Sequence, residues 1–183
     1  MKTVIVFLAD GFEECEGLLT VDLLRRAGVN VVTASIMGRT EILSSHGIRL
    51  QADVLAEDAP YGDADMIMLP GGCPGTRHLG KSALVREKCV EFADSKLVAA
   101  ICAAPSVLGS LGLLDGKPAT CHPSVEDQMG DAELTHDSVT VADNITTGQG
   151  LGAAIPFALK LVETLVDAVT AEKIAKAICY KGE

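Results

Sequence analysis

The feature that most constrains this chain is a regular alternation of short apolar runs with longer segments of helical periodicity. The apolar runs have the length of buried strands and occupy residues 3–9, 31–36, 65–69 and 97–101. The helical patterns that follow them cover residues 18–28, 81–93, 103–111, 153–166 and 171–178. Alternating units of this kind predict an α/β fold, with a mostly parallel sheet covered by helices on both faces.

Three segments depart from this alternation. Polar and apolar residues mix around Gly47, so residues 42–54 are predicted to form a short hairpin or an excursion at the sheet edge. A fifth short strand is predicted at 119–121, and a pair of strands at 139–147. Together with the four apolar runs, these strands complete the predicted sheet. The sequence contains no internal repeat.

Composition limits the functions open to such a fold. With 48% hydrophobic and only 3% aromatic residues, the chain can bury one aliphatic core, and we expect a single domain over residues 1–183. The net charge of -10 and the lack of a Lys/Arg run disfavour a sequence-specific nucleic-acid partner. No apolar stretch approaches the roughly 18 residues of a membrane helix, and the first run is too short for a signal peptide. We therefore expect no membrane partner and a cytoplasmic location.

The six cysteines do not form a recognisable disulfide or metal pattern. The chain has neither a CxxC pair nor an HxxxH spacing, and it is neither small nor marked for secretion. We therefore predict no metal site, no cofactor, and mostly reduced cysteines in the core, with any functional one distinguished by its surroundings. The cysteines lie at positions 15, 73, 89, 102, 121 and 179.

The expected site lies where the parallel strands end. In open α/β sheets ligands bind outside the carboxyl ends of the strands, so the segments after those ends are the first place to look for chemistry. Four such segments carry cysteine, histidine, acidic or glycine residues. They are DGFEECE, PGGCPGT, CAAP and CHPS, and they begin at residues 10, 70, 102 and 121.

Cys102 has the sequence setting of a nucleophile. It follows an apolar strand directly and precedes Ala-Ala-Pro, and a sharp strand-to-helix turn needs small neighbours of this kind. Pro105 suits the first helical turn, and a helix N-terminus favours a thiolate over a thiol. The alternative is a buried cysteine at the end of a strand, which is common for this residue type.

Glycines and acids supply the partners of such a nucleophile. The Gly72 amide, in the segment that also holds Gly71, is predicted to form an oxyanion hole with the Ala103 amide, although Pro-Gly-Gly is also a common turn. Glutamates crowd the loop after the first strand, and one of them, held near a thiolate in a dry crevice, would keep its proton. The alternative is that the three glutamates of this loop are exposed at the start of a helix, where acidic side chains interact favourably with the helix dipole. The glutamates are Glu13, Glu14 and Glu16.

Taken together, these segments resemble the ThiJ/PfpI superfamily, and within it the branch of the Parkinson's-associated deglycase and its bacterial relatives. The resemblance extends over nearly the whole chain through LADGFEECE, VDLLRRAG, LPGG, AAICAAP, CHP and TTGQGLGAAIPFAL. It implies a flavodoxin-like three-layer α/β sandwich, of the class I glutamine amidotransferase type, that forms a homodimer. It also implies that Cys102 is the nucleophilic and oxidisable cysteine, Glu16 its protonated partner and His122 a pocket histidine, with Gly72 and Ala103 as oxyanion donors.

The resemblance implies two kinds of function. The first is a glutathione-independent glyoxalase or deglycase, acting on methylglyoxal, glyoxal or their early protein and nucleotide adducts to give lactate or glycolate. The second is a redox-sensing stress protein or chaperone whose Cys102 is oxidised to sulfinate. Both use the same residues, so the sequence does not separate them.

Some residues depart from the family pattern. Ala103 stands where the protease-like branch has a histidine, so peptidase activity is not expected. Cys73 replaces a polar residue, and together with Cys15 it is a candidate for a second thiol near the pocket. Gly71 is a further candidate for the pocket wall. Residues 148–153 fit G-x-G-x-x-A but lie outside a βαβ unit, so nucleotide binding there is not expected.

Overall fold

The computed structural model describes residues 1–182. The first seven strands alternate with helices or turns, and the last four lie in the second half of the chain. The strands are β1 (Thr3–Leu8), β2 (Asn30–Ser35), β3 (Glu41–Leu43), β4 (Arg49–Gln51), β5 (Val54–Leu55), β6 (Met66–Leu69), β7 (Leu97–Ile101), β8 (Pro118–Ala119), β9 (Glu133–Leu134), β10 (Val139–Ala142) and β11 (Ile145–Gly148). The helices are α1 (Glu14–Arg26), α2 (Gly75–Lys81), α3 (Ala83–Ser95), α4 (Pro105–Gly109), α5 (Ala154–Leu165) and α6 (Ala168–Ala177).

Seven strands form the central sheet in the order β10-β11-β7-β6-β1-β2-β5. All neighbouring pairs are parallel except β10 and β11, which run antiparallel at one edge. The carboxyl ends of β1, β6 and β7 therefore lie side by side in the middle of the sheet. This is the edge at which the sequence places its chemistry-bearing segments.

Helices cover both faces of the sheet. The side chains of Val4, Val6 and Leu8 point to one face, where α1, α5 and α6 bury their apolar stripes. The alternate residues Ile5 and Phe7 point to the other face, where α2, α3 and α4 pack. Because β1 is buried on both sides, its sequence is a continuous apolar run rather than an alternating one. The protein is a flavodoxin-like three-layer α/β sandwich, which confirms the predicted fold class.

Two elements differ from the sequence prediction. The helix predicted at 81–93 is α3, but a separate helix, α2, precedes it and was not predicted, because its glycines resemble a loop. Ser82 separates the two helices in extended conformation and caps α3 by accepting a hydrogen bond from the Val85 amide at 3.3 Å. The strand predicted at 119–121 forms as β8 but pairs with β9 in a separate two-stranded sheet. Its place among the central strands was therefore wrong.

Other elements follow the prediction closely. Segment 42–54 contains the antiparallel hairpin of β3 and β4, which lies outside the central sheet. Among the described residues, no helix combines the length and apolar composition that a membrane-spanning segment needs.

The cysteines are less buried than the sequence suggested. All six are free, but only Cys89 and Cys121 are buried, and Cys102 is partly exposed. The expectation that most of them are core residues was wrong, because three lie on outer surfaces of the fold. The exposed cysteines are Cys15, Cys73 and Cys179.

Candidate active site

Cys102 occupies a strained turn between β7 and α4. Its backbone φ is 64°, a left-handed value that is unusual for a residue with a side chain. The turn is held from both sides: the Cys102 amide donates to the Gly148 carbonyl at 2.9 Å, and the Cys102 carbonyl accepts from the His122 amide at 2.8 Å. The sharp strand-to-helix turn predicted from the sequence is confirmed, and Pro105 begins α4.

The loop after β6 lies against this turn. A Cβ atom at Gly71 would lie 2.5 Å from the Cys102 Cβ and 2.5 Å from Oε2 of Glu16, so the close approach requires glycine. Gly72 follows with a positive φ of 95°. The amides of Gly72 and Ala103 both hydrogen-bond the Cys102 side chain, and both lower the pKa of its thiol. These are the two amides that the sequence predicts as oxyanion donors.

Glu16 reaches the same point from the first turn of α1. Its side chain is fully buried, and Oε2 accepts a hydrogen bond from the Gly71 amide at 3.1 Å. Oε1 is also buried, and no nitrogen or oxygen of the described residues hydrogen-bonds it. A buried carboxyl oxygen without such a partner is costly when it is charged, so this environment favours the protonated acid.

The other two glutamates of the loop have different positions. Glu13 caps α1, with its Oε2 accepting from the Glu16 amide at 2.7 Å. Glu14 turns away from Cys102, accepts a hydrogen bond from the Ser45 hydroxyl at 3.1 Å and lies 3.0 Å from Nδ1 of His46. Of the three acids that the sequence left as alternatives, only Glu16 contacts the thiol.

Burial raises the pKa of both members of the Cys102 and Glu16 pair. The pKa of Glu16 rises to about 7, mainly through burial and also through the charge of Glu13, against the lowering effect of its hydrogen bonds. Burial likewise raises the pKa of the Cys102 thiol to about 12, and the charge of Glu16 adds to the rise. Because each group opposes ionisation of the other, the pair keeps one proton far above the pH at which an ordinary carboxyl group loses its own.

The expected depression of the thiol pKa is therefore wrong for Cys102. The helix N-terminus behind the sulfur favours the thiolate only weakly, because α4 has five residues and contributes a weak dipole. Burial and the adjacent carboxyl group outweigh it. The two amides act against this rise and favour the form of the pair in which Glu16 carries the proton and the sulfur is a thiolate.

A cavity of about 540 Å³ opens above the sulfur. Cys102, Glu16 and His122 all line it, so the three predicted catalytic residues face one space. His122 reaches it although β8 lies outside the central sheet, because its amide hydrogen-bonds the Cys102 carbonyl. Nδ1 of His122 accepts from the Ser124 amide at 3.2 Å, so a neutral imidazole carries its proton on Nε2.

The two further thiols nominated for the pocket lie elsewhere. Cys15 and Cys73 are exposed and do not line the cavity, whereas Gly71 contacts Cys102 as described. Sequence reasoning missed Ser138 and Gln149, which do line it. Gln149 follows β11 at the same sheet edge. Ser138 precedes β10, whose start lies at that edge because β10 runs antiparallel to β11.

One group of side chains has the composition of a cation site. Ligand atoms of Glu13, Glu14 and His46 lie within 4.8 Å of one another. Burial alone would raise the pKa of Glu14, but hydrogen bonds from its own amide and from the Ser45 and Ser44 hydroxyls, together with the charge of the neighbouring His46, lower it. The prediction of no metal and no cofactor stays a prediction.

Comparison with known proteins decides the family. The model described as "DJ-1/PfpI family" matches residues 2–164. The chain belongs to the DJ-1/PfpI family. It is 34% identical over 180 residues to Protein dj-1beta of Drosophila melanogaster, covering 97% of this chain and 96% of that one. It is 33% identical over 183 residues to a Caenorhabditis elegans protein named "Glutathione-independent glyoxalase DJR-1.2", covering 97% and 96%.

Solved structures agree with this assignment to the DJ-1/PfpI family. The structure of "Toxoplasma gondii DJ-1, oxidized" superposes with a TM-score of 0.94 at 36% identity, and the match covers 100% of both chains. The family resemblance stated from the sequence motifs is confirmed, and the family includes a glutathione-independent glyoxalase.

Proposed function

We propose that this protein is a glutathione-independent glyoxalase that converts methylglyoxal to lactate with Cys102 as nucleophile. The observation that carries the proposal is the convergence of the Gly72 and Ala103 amides and the Glu16 carboxyl group on Cys102, which lines the cavity together with Glu16. The glyoxalase name of the Caenorhabditis elegans relative supports the same reaction class. A deglycase would act instead on early glyoxal adducts of proteins or nucleotides, and its reaction would begin with the same attack by Cys102.

The shared proton prepares the nucleophile. When the proton lies on Glu16, the sulfur is a thiolate that accepts hydrogen bonds from the two amides. The thiolate adds to the aldehyde carbon and forms the C–S bond, while the carbonyl oxygen takes negative charge near the same amides. Glu16 then donates its proton to that oxygen. The products of this step are a neutral hemithioacetal and a carboxylate base.

The carboxylate next moves hydrogen between neighbouring carbons. Glu16 takes the proton from the former aldehyde carbon, and the electron pair passes to the ketone oxygen to form an enediolate. Glu16 returns the proton to the ketone carbon, and the hydroxyl proton moves to the second oxygen, leaving a thioester. Water hydrolyses the C–S bond to give lactate and to regenerate the pair. One carbon is oxidised and its neighbour is reduced, so no external oxidant is needed.

His122 assists as a hydrogen-bond donor. The neutral ring carries its proton on Nε2, because Nδ1 accepts from the Ser124 amide. A donor at the cavity wall polarises the ketone oxygen while the neighbouring carbon loses its proton. His122 lies outside the buried pair, so its loss should slow turnover without preventing addition of the thiolate.

Steady-state consumption of methylglyoxal with lactate as the measured product tests the proposal. Cys102→Ser should lower kcat/KM by at least about 10³-fold, and Glu16→Gln by at least about 10²-fold, since each removes a group that reacts with substrate. Cys179→Ser removes an exposed thiol and should retain wild-type activity. Full activity of Cys102→Ser would contradict the mechanism.

A second function is favoured by one specific observation. Oε1 of Glu16 is buried without a nitrogen or oxygen partner in the described chain, and a sulfinate oxygen on Cys102 would provide an acceptor for a proton held there. We propose redox sensing as this second candidate, in which peroxide is the oxidant and Cys102 gains two oxygens. One of the similar solved structures is that of "Toxoplasma gondii DJ-1, oxidized".

Intact mass after mild peroxide treatment tests the second candidate. We expect a gain of two oxygens on Cys102 in the wild type, and loss of that product in Glu16→Gln in favour of further oxidation or a disulfide. A disulfide between Cys102 and another thiol as the main wild-type product would contradict redox sensing through sulfinate.

A further inference from the structure

We propose that the cavity above Cys102 selects uncharged or cationic carbonyl compounds and rejects anionic ones, and that Glu13 is the residue that sets this preference. The inference rests on the proposed function for its substrate class. It narrows that class to free 2-oxoaldehydes and to adducts on neutral or basic groups. Phosphorylated carbonyl compounds and nucleotide adducts are excluded from it.

The charges that line the cavity are of one sign. Within residues 1–182, no lysine or arginine lines it, whereas Glu13, Glu16 and Cys102 all do. The Glu16 and Cys102 pair holds one proton between two acids, so it carries one negative charge when it is ready to react. His122 is the remaining ionisable group of the wall, and its Nδ1 accepts a hydrogen bond from the Ser124 amide at 3.2 Å.

Glu13 adds a second negative charge at a fixed position. Its Oε2 accepts from the Glu16 amide at 2.7 Å, and its own amide donates to the Gly71 carbonyl at 2.8 Å. No ion pair to Glu13 forms in the described chain, and the neighbouring His46 pairs with Glu14 instead. The Glu13 carboxylate is therefore held at the cavity wall, with a ring nitrogen of His46, which already pairs with Glu14, within 4.8 Å of it.

This arrangement has a direct electrostatic consequence. A substrate with a carboxylate or phosphate would meet both negative charges in a partly enclosed space, where repulsion is stronger than in bulk water. An uncharged 2-oxoaldehyde avoids that cost. The product lactate is itself an anion, so the same charges favour its release.

A matched pair of substrates tests the proposal. Phenylglyoxal and 4-carboxyphenylglyoxal share the reacting carbons and differ by one distant charge. We expect wild-type kcat/KM to favour the uncharged compound by about 10-fold or more at low ionic strength, and by less in about 0.5 M salt. Glu13→Gln keeps an acceptor oxygen for the cap and removes the charge, so it should reduce that preference at least about 3-fold.

Alkylation of Cys102 gives a readout that does not depend on glyoxalase activity. Iodoacetamide and iodoacetate react with a thiolate in the same way and differ by one charge. We expect Glu13→Gln to speed alkylation by iodoacetate relative to iodoacetamide at least about 3-fold, as followed by peptide mass spectrometry. Glu57→Gln makes the same change in net charge at an exposed position away from the cavity and should leave the ratio unchanged.

The two readouts separate the possible failures. If no variant turns over either glyoxal but the alkylation ratio changes only in Glu13→Gln, the proposed function fails and the charge selection stands. If the glyoxals turn over, the charge selection is overturned when Glu13→Gln and the wild type share two values. These are the kcat/KM preference between the two glyoxals and the ratio of alkylation rates with iodoacetate and iodoacetamide. Glu13→Asp, which keeps the charge and a capping carboxylate, should retain the wild-type preference; loss of preference in it would also overturn the proposal.

Discussion

Glu16 is a carboxyl group that the fold buries beside a thiol, and its ionisation is linked to stability. Its pKa in the folded protein is about 7, against an ordinary value of 4.5. A raised carboxyl pKa stabilises the folded state fully below the ordinary value, and that contribution is lost as the pH rises through the folded value. Glu16 should therefore make the wild type progressively less stable between about pH 4.5 and pH 7.

We expect Glu16→Gln to reveal this linkage. The variant lacks the titrating group, so the unfolding free energy of the wild type minus that of the variant should fall by about 3 kcal/mol across that pH range and then level off. Urea unfolding at several pH values measures the difference. A constant difference would contradict the raised pKa, and Glu57→Gln controls for loss of an exposed carboxylate.

The sequence predicted which residues form the site, but it did not predict the pKa of the Cys102 thiol. The small residues after Cys102 indicated the strained turn, because few other local structures need that pattern. The thiol pKa was predicted in the wrong direction, since the depth of burial and the contact with Glu16 depend on how α1 packs against the sheet. Sequence spacing across 86 residues carries no such information.

At the level of elements, Gly148 connects three parts of the fold. It ends β11, its carbonyl accepts from the Cys102 amide, and an added Cβ would lie 2.8 Å from Phe157 of α5 and 2.9 Å from Ile101 of β7. Contacts this short force the neighbours to shift. The position therefore couples packing of α5 to the turn that holds the sulfur.

We expect Gly148→Ala to destabilise the protein by about 1–3 kcal/mol and to lower kcat more than it raises KM for methylglyoxal. The physical reason is overpacking between β7 and α5, which displaces the Cys102 turn. Thermal unfolding and steady-state kinetics measure the two effects. Gly62→Ala, where an added Cβ meets nothing within 4 Å, is the control, and equal behaviour of the two variants would contradict the coupling.

Element prediction from the sequence succeeded where burial alone decides the structure. The buried strands β1, β6 and β7 appear as apolar runs that few alternatives explain. Helix α2 was missed because its glycines have low helix propensity, and tertiary packing of Leu79 in the core overrides that preference. The pairing of β8 with β9 outside the central sheet was not predicted, because two residues of strand do not specify a neighbour.

At the scale of the whole molecule, one surface combines exposed apolar side chains with proximity to the site. The β3–β4 hairpin carries exposed Leu43 and Ile48, and its turn contacts α1 through Glu14. Leu18, also exposed, lies one helical turn after Glu14 on the same face of α1. We propose that these three apolar residues form the contact between two copies of the chain in a homodimer.

We expect the protein to sediment at twice the chain mass of 19.0 kDa at micromolar concentration, and Ile48→Glu to weaken the dimer by at least about tenfold. Val169→Glu places the same charge at an exposed apolar position on α6 and should leave the dimer intact. Each chain carries a net charge of -10, so two chains repel each other and dimerisation should strengthen as salt screens that repulsion. Analytical ultracentrifugation at low and moderate salt measures both effects. A wild-type monomer at all concentrations, or equal weakening by the two variants, would contradict this interface.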